Sequence, residues 1–124
     1  MSERISSFRE LRVYGEACAL DLEIFEITKR FPREELYSLT DLVRRSSRSI
    51  GATIAEAWAK RRYPAHFVSK LTDADGELQE TWHWLHRTKC YAYITEAEFV
   101  GMEARSCHVG QMLGKMISSP DDFC

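Results

Sequence analysis

Proline and glycine are scarce in this chain, three and six among 124 residues. So few breakers leave little room for tight turns, and no segment sustains the alternation of a strand, which excludes a β-sandwich or barrel. No apolar run approaches the ~20 residues that a membrane helix needs, and no basic segment leads into an apolar one as in a secretory leader. The expectation is a cytoplasmic protein with no membrane partner. Four cysteines are present, Cys18, Cys90, Cys107 and Cys124, with no Cys-x-x-Cys pair. In a reducing compartment they read as free thiols, Cys18 and Cys107 as small core residues and Cys124 in a tail. Neither sign of charge dominates: the formal net charge is −2, so no global field draws the chain onto nucleic acid or membrane.

What is present is helical periodicity. The length suits one domain, 1–124, and not two. Val13, Ala17, Leu20, Ile24, Ile27 and Phe31 step by four and three, with Tyr14, Cys18, Leu22 and Phe25 as a second stripe. The spacing predicts a first helix over about 11–31, closed by Pro32. A second, about 38–62, is expected to start at Ser38 as N-cap, with Asp41 three residues on. Its expected apolar face is Leu39, Leu42, Val43, Ile50, Ile54 and Trp58. Gly51 in its middle costs about 1 kcal/mol against Ala, so a close backbone approach is expected there. Pro64 opens a third helix, about 64–90. Thr95 and Glu98 form a capping box for a fourth, about 95–118, which stops before Pro120. Short connections between long helices place neighbours antiparallel in an all-α bundle.

The order of local motifs is itself informative. Phe8-Arg9-Glu10-Leu11 and Val13-Tyr14 are followed by Thr28-Lys29-Arg30-Phe31-Pro32 and Glu35-Leu36-Tyr37-Ser38-Leu39-Thr40. Then come Arg44-Arg45, Ser49-Ile50 and Ile54-Ala55-Glu56, with Phe67, Leu71, Ala74, Gly76, Glu80 and Tyr93-Ile94 beyond. Across about Phe8 to Ile117 the chain resembles the four-helix-bundle proteins encoded in intervening sequences of bacterial 23S ribosomal RNA genes, the S23-like family. The resemblance implies an antiparallel up-down-up-down left-handed bundle, no catalytic activity and assembly into a ring of five. That family is similar to the accessory protein of diversity-generating retroelements, a basic pentamer that binds RNA and a reverse transcriptase. Departures from the family's usual residues are Gly51 for Pro, Thr53 for Asn, Ala57 for Gly and Ala92 for Gly.

The charge is uneven. Residues 36–64 carry Arg44, Arg45, Arg48, Lys60, Arg61 and Arg62 against Asp41 and Glu56. These six bases are the candidate basic patch, either for phosphate or for an interface. The competing expectation is structural: Lys60 to Arg62 satisfy the end of the second helix, and the arginines pair with Glu56, Glu80 or acids of a neighbour. An acidic chain with one basic helix favours the structural role. Glu56 and Glu80 are accordingly expected in buried or intersubunit ion pairs. Trp82 and Trp84, two apart on one helix, cannot share a narrow core stripe. With Trp58 they are the candidate interface aromatics.

Metal chemistry is tested and disfavoured. Glu80 and His83 give one Glu-x-x-His, but no second exists, so a di-iron carboxylate set is incomplete. His83, His86 and Cys90 share a face, with Cys107 or His108 as conceivable partners, yet no closed zinc set can be assigned. Gly110 and Gly114 read as a site of close helix packing. The expected function is a non-enzymatic homo-oligomeric assembly protein, without catalytic residues, cofactor or metal, whose partners are other copies of itself. An alternative is an RNA-binding accessory protein that uses the basic helix to hold RNA or an RNA-bound protein. A metal-binding bundle enzyme is the remaining class.

Overall fold

The computed structural model describes residues 5–124, so the first four residues of the expected domain lie outside the described residues. Four long helices account for most of the chain, and there is no strand among the described residues. They are α1 (Arg12–Thr28), α2 (Leu39–Ala59), α3 (Pro64–Cys90) and α4 (Glu96–Ser118), with single 3-10 turns at Phe8–Glu10, Arg33–Glu35 and Pro120–Asp122. No helix is long and apolar enough to cross a membrane among the described residues.

Each helix lies beside the next, and α1 closes on α4. Arg44 of α2 meets Thr28 at the end of α1, and Gly51 lies against Tyr14 and Cys18 near its start. Between α2 and α3 the pairs are Ser46 with Thr81 and Glu56 with Lys70. Trp82 with Glu103 and Lys89 with Glu96 join α3 to α4. Glu16 with Arg105 joins α1 to α4, and Arg30, just past the end of α1, meets Glu98 near the start of α4. In every pair the residue numbers run in opposite directions, which is antiparallel packing.

The buried stripes follow the alternating steps of the sequence. On α3 they are Phe67, Leu71, Ala74, Leu78, Thr81, Leu85 and Thr88, and on α4 Phe99, Met102, Ser106, Val109, Leu113 and Met116. Steps of four and three keep one seam facing the bundle axis over the whole helix. Burying each large apolar side chain contributes about 1.5–3 kcal/mol. The hydroxyls in these stripes donate back to their own helices, Thr88 to the Trp84 carbonyl at 2.8 Å and Ser106 to that of Met102 at 2.8 Å. They therefore enter the core without an unpaired proton.

The ends show where local chemistry decides. The Thr95–Glu98 capping box forms as expected. Ser38 precedes α2, but its side chain caps nothing. Its hydroxyl donates to Glu35 at 2.6 Å, and the same Glu35 oxygen lies 3.4 Å from the Leu39 amide. The carboxylate of the preceding 3-10 turn thus takes the capping role, aided by its charge at a helix N-terminus. α3 ends in a Schellman motif: Ala92 donates to the Lys89 carbonyl at 2.9 Å and Tyr93 to that of Thr88 at 3.1 Å. Ala92 holds φ 62° there. It occupies the left-handed position that glycine fills at lower cost.

Three expectations about small residues change. A Cβ on Gly51 would meet Cys18 and Tyr14 at 3.6 Å, an ordinary contact, so close approach does not require the glycine. Of the pair on α4, only Gly110 lies against a neighbour, Leu78 of α3, while Gly114 faces open space. Cys107 is exposed, because it follows the buried Ser106 by one position and projects about 100° away from the core; Cys18 is half-buried.

Candidate functional site

The six bases of the expected patch do not form one surface. Arg44 and Lys60 are about 24 Å apart along α2 at 1.5 Å per residue. Arg44 is half-buried; its Nε donates to Thr28 Oγ1 at 2.7 Å, and Thr28 in turn donates to the Phe25 carbonyl at 2.9 Å. Its guanidinium lies 4.9 Å from the centre of the Phe25 ring, and that of Arg48 lies 5.8 Å from it. Lys29, from the end of α1, is 4.7 Å from the same ring. Three cations thus surround one phenylalanine, within the range of cation–π attraction. Sequence reasoning missed Lys29 and Phe25 as members, because the cluster exists only once α1 and α2 pack. The local charge is partly offset. Lys29 reaches Glu26 at 3.2 Å, and burial pushes the Asp21 carboxyl up while Arg48 draws it down.

Arg45 turns to the other side of α2. It is 75% exposed and 3.6 Å from Asp41, one turn away. At the far end, Arg61 donates from Nη1 to the Trp58 carbonyl at 2.9 Å and stacks 3.9 Å from the Trp58 ring centre. It serves the helix terminus, as the structural expectation had it. Lys60 and Arg62 are exposed.

The acids correct the expectation of buried pairs. Glu56 is exposed and binds Lys70 of α3 at 3.0 Å, not Arg45 or Arg48. Arg48 is eight residues away on the same helix, about 12 Å, well beyond the one-turn spacing at which helix side chains pair. Glu80 is exposed, and among the described residues no cation lies within ion-pair distance of it or of Glu77. With Leu42, Arg45, Ser46 and Ser49 these two carboxylates line an open groove of about 250 Å³ between α2 and α3. Burial, then the like charges of Glu80 and Asp73, pushes the Glu77 carboxyl above its usual range.

The tryptophans also separate. Trp58 is 7% exposed and belongs to the core, because Ile50, Ile54 and Trp58 recur every four residues on the buried face of α2. It is not available as an interface residue. Trp82 and Trp84 do diverge. Trp82 is half-buried and donates to Glu103 of α4 at 3.0 Å. Trp84 packs partly against the core, edge-on to His83, with its indole N–H buried and without an acceptor among the described residues. The most exposed large rings are Tyr37, Tyr63 and Tyr91, all at the helix connections.

His86 Nε2 and Cys90 Sγ lie 3.6 Å apart. Among the described residues no group of three or more His, Cys, Asp or Glu is gathered as a metal site. His83 and His86 instead border a shallow depression with Gln79, Trp82 and Glu103.

The comparisons agree with this architecture. The chain is similar to a protein of unknown function from the S23 ribosomal protein family of Bacteroides thetaiotaomicron VPI-5482, with a TM-score of 0.76 and 27% identity over 85% of this chain and 97% of that one. Among curated proteins, none matches. Residues 9–115 match the model of the 23S rRNA-intervening sequence protein family. That span takes in α1, α2, α3 and nearly all of α4, and the chain belongs to this family.

Proposed function

We propose that this protein is a non-enzymatic assembly module that associates with copies of itself, with five subunits as the expected number. The observation that carries the reading is the outer stripe of α1. Gly15, Ala19 and Leu22 succeed one another on the side away from the buried stripe, and Leu22 is 58% exposed. A helix facing only water places charge all along its outer face; between Arg12 at its start and Glu26 near its end, this one places Gly15, Ala19 and Leu22 there. The carboxylates held below their usual range, Glu10, Glu35 and Glu98, bind helix-end and turn groups, as structural acids do. Light scattering at micromolar concentration tests the reading. A mass several-fold above the 14.4 kDa chain, ideally fivefold, is expected. A concentration-independent mass of one chain overturns it.

A second reading, an accessory protein that binds RNA, is favoured by Lys29, Arg44 and Arg48 around Phe25. A symmetric assembly repeats that cluster, so weak phosphate contacts gain avidity. Binding of this kind weakens steeply with salt. Replacing Arg44 and Arg48 with Ala separates the roles. An assembled variant that loses low-salt RNA binding supports the RNA reading. Wild-type protein without salt-sensitive binding to RNA or DNA removes it.

A further inference from the structure

The two sides of α2 carry unlike surfaces. Toward α1, Arg48 lies 5.8 Å from the half-buried Phe25 ring, and the exposed Leu22 stands one turn before Phe25 on α1; Asp21 acts on Arg48 at longer range, but no carboxylate lies within ion-pair distance of it among the described residues. Toward α3, the exposed Leu42 lies beside Glu77 and Glu80, which have no cation. Arg45, on the rim of that groove, is already engaged by Asp41. Each surface therefore has an exposed apolar residue and a charge with no ion-pair partner, and the two charges are opposite. Arg48 and Ser49 are consecutive and project about 100° apart, so one helix presents both surfaces in different directions.

We infer that copies of this chain dock head to tail, the Leu22–Phe25–Arg48 face of one protomer seating on the α2–α3 groove of the next so that Arg48 meets Glu77 and Glu80. This rests on the self-assembly reading above and names the surfaces that perform it. A contact between two different patches repeats identically around a symmetric assembly and closes into a ring when the rotation permits. Ser46 and Ser49 leave the groove floor low, so a guanidinium can reach Glu80 and the partly buried Glu77, neither of which has an ion-pair partner among the described residues. Bidentate geometry suits arginine there and gives the contact direction.

Charge reversal tests the pairing. Arg48→Glu and Glu80→Arg, singly, are each expected to reduce the mass in light scattering toward that of one chain, with helical circular dichroism unchanged. The double variant, which restores opposite charges across the contact, is expected to reassemble. Arg48→Lys supplies an independent readout that keeps the charge. Treatment of that variant with a carbodiimide should join the introduced amine to Glu77 or Glu80 of another chain, seen as a covalent dimer and located by peptide mass spectrometry. A monomeric wild type overturns both the assembly reading and this inference. Assembled single variants, or a cross-link from the introduced amine only to other carboxylates, overturn the inference and leave self-assembly standing. A double variant that stays dissociated while folded also overturns it.

Discussion

The hydroxyl oxygens of Ser46 and Thr81 lie 3.0 Å apart in the core between α2 and α3. Each has one proton, and between them they have three acceptors: the partner hydroxyl, the Glu77 carbonyl at 2.8 Å from Thr81 and the Val43 carbonyl at 3.3 Å from Ser46. The pair is a polar joint between two helices that are otherwise joined there by apolar packing.

Thr81→Val keeps the shape and removes one hydroxyl. It should lower the stability by about 1–2 kcal/mol, the cost of leaving a buried hydroxyl poorly matched. Adding Ser46→Ala should cost less than the two single changes summed, because the second change removes the orphaned group. Urea unfolding at one fixed protein concentration checks this, and strict additivity would refute the coupling.

Ala92 is expected to be a position where a substitution stabilises. Its φ of 62° costs a residue with a Cβ about 1 kcal/mol or more, and the side chain is exposed, so nothing is lost by removing it. Ala92→Gly should raise the midpoint of thermal unfolding by a few degrees. An unchanged or lower midpoint would show that the Schellman turn carries no strain.

Gly51→Ala tests a different point. The new methyl fits against Cys18 and Tyr14 at 3.6 Å, so the helix-propensity gain of up to about 1 kcal/mol should appear as added stability. A loss of more than that amount would mean that α1 and α2 need a closer approach than they show. The mass in light scattering should stay at the wild-type value.

The α4 capping box sets a pH dependence. Glu98 is held below its ordinary 4.5, first by the Thr95 backbone N–H at 2.9 Å and also by Arg30. A carboxylate lowered in the folded state binds fewer protons there than when unfolded. Its contribution is therefore fully present above about 4.5 and is lost as pH falls through the folded value. Glu98→Gln should flatten the fall in stability between about pH 5 and pH 3 while leaving the neutral-pH helix content intact. Equal slopes for the two proteins would assign the acid sensitivity elsewhere, with Glu35 the next candidate, since Ser38 and Tyr93 hold it down as well.

Much of the fold was legible because it depends on spacing within one helix. The steps of four and three in α3 and α4, Pro64 at a helix start and the Thr95–Glu98 box are all local signals. The first two helices end three residues earlier than periodicity suggested, at Thr28 and Ala59, because Phe31 and the Lys60–Arg62 segment belong to turns that cover the bundle ends. The candidate site was less legible for the opposite reason. Lys29 joins Arg44 only across a helix pair, Lys70 takes Glu56 from another helix, and Glu35 displaces Ser38 as the cap. Such choices among nearby charges are made by packing, which no residue spacing encodes. Trp58 was readable as core from its four-residue repeat, but its ring size argued equally for an interface.

The ends of the bundle have a consequence for its connectivity. Ile5 and Phe123 line the same apolar groove with Leu11, Val13 and Met116, so the chain that enters α1 and the chain that leaves α4 meet. With α1 closed on α4, the four helices form a nearly unbroken circle, and the point at which the backbone is cut is not dictated by the packing. A circular permutant that links these flanks and opens at the fully exposed Tyr37 should keep every helix–helix contact while changing which pair must find each other over the longest stretch of chain. In the native order that pair is α1 with α4; in the permutant it is α1 with α2. The architecture is thus a property of the cycle of neighbours, and the order in which they are synthesised sets only the route by which the last contact closes.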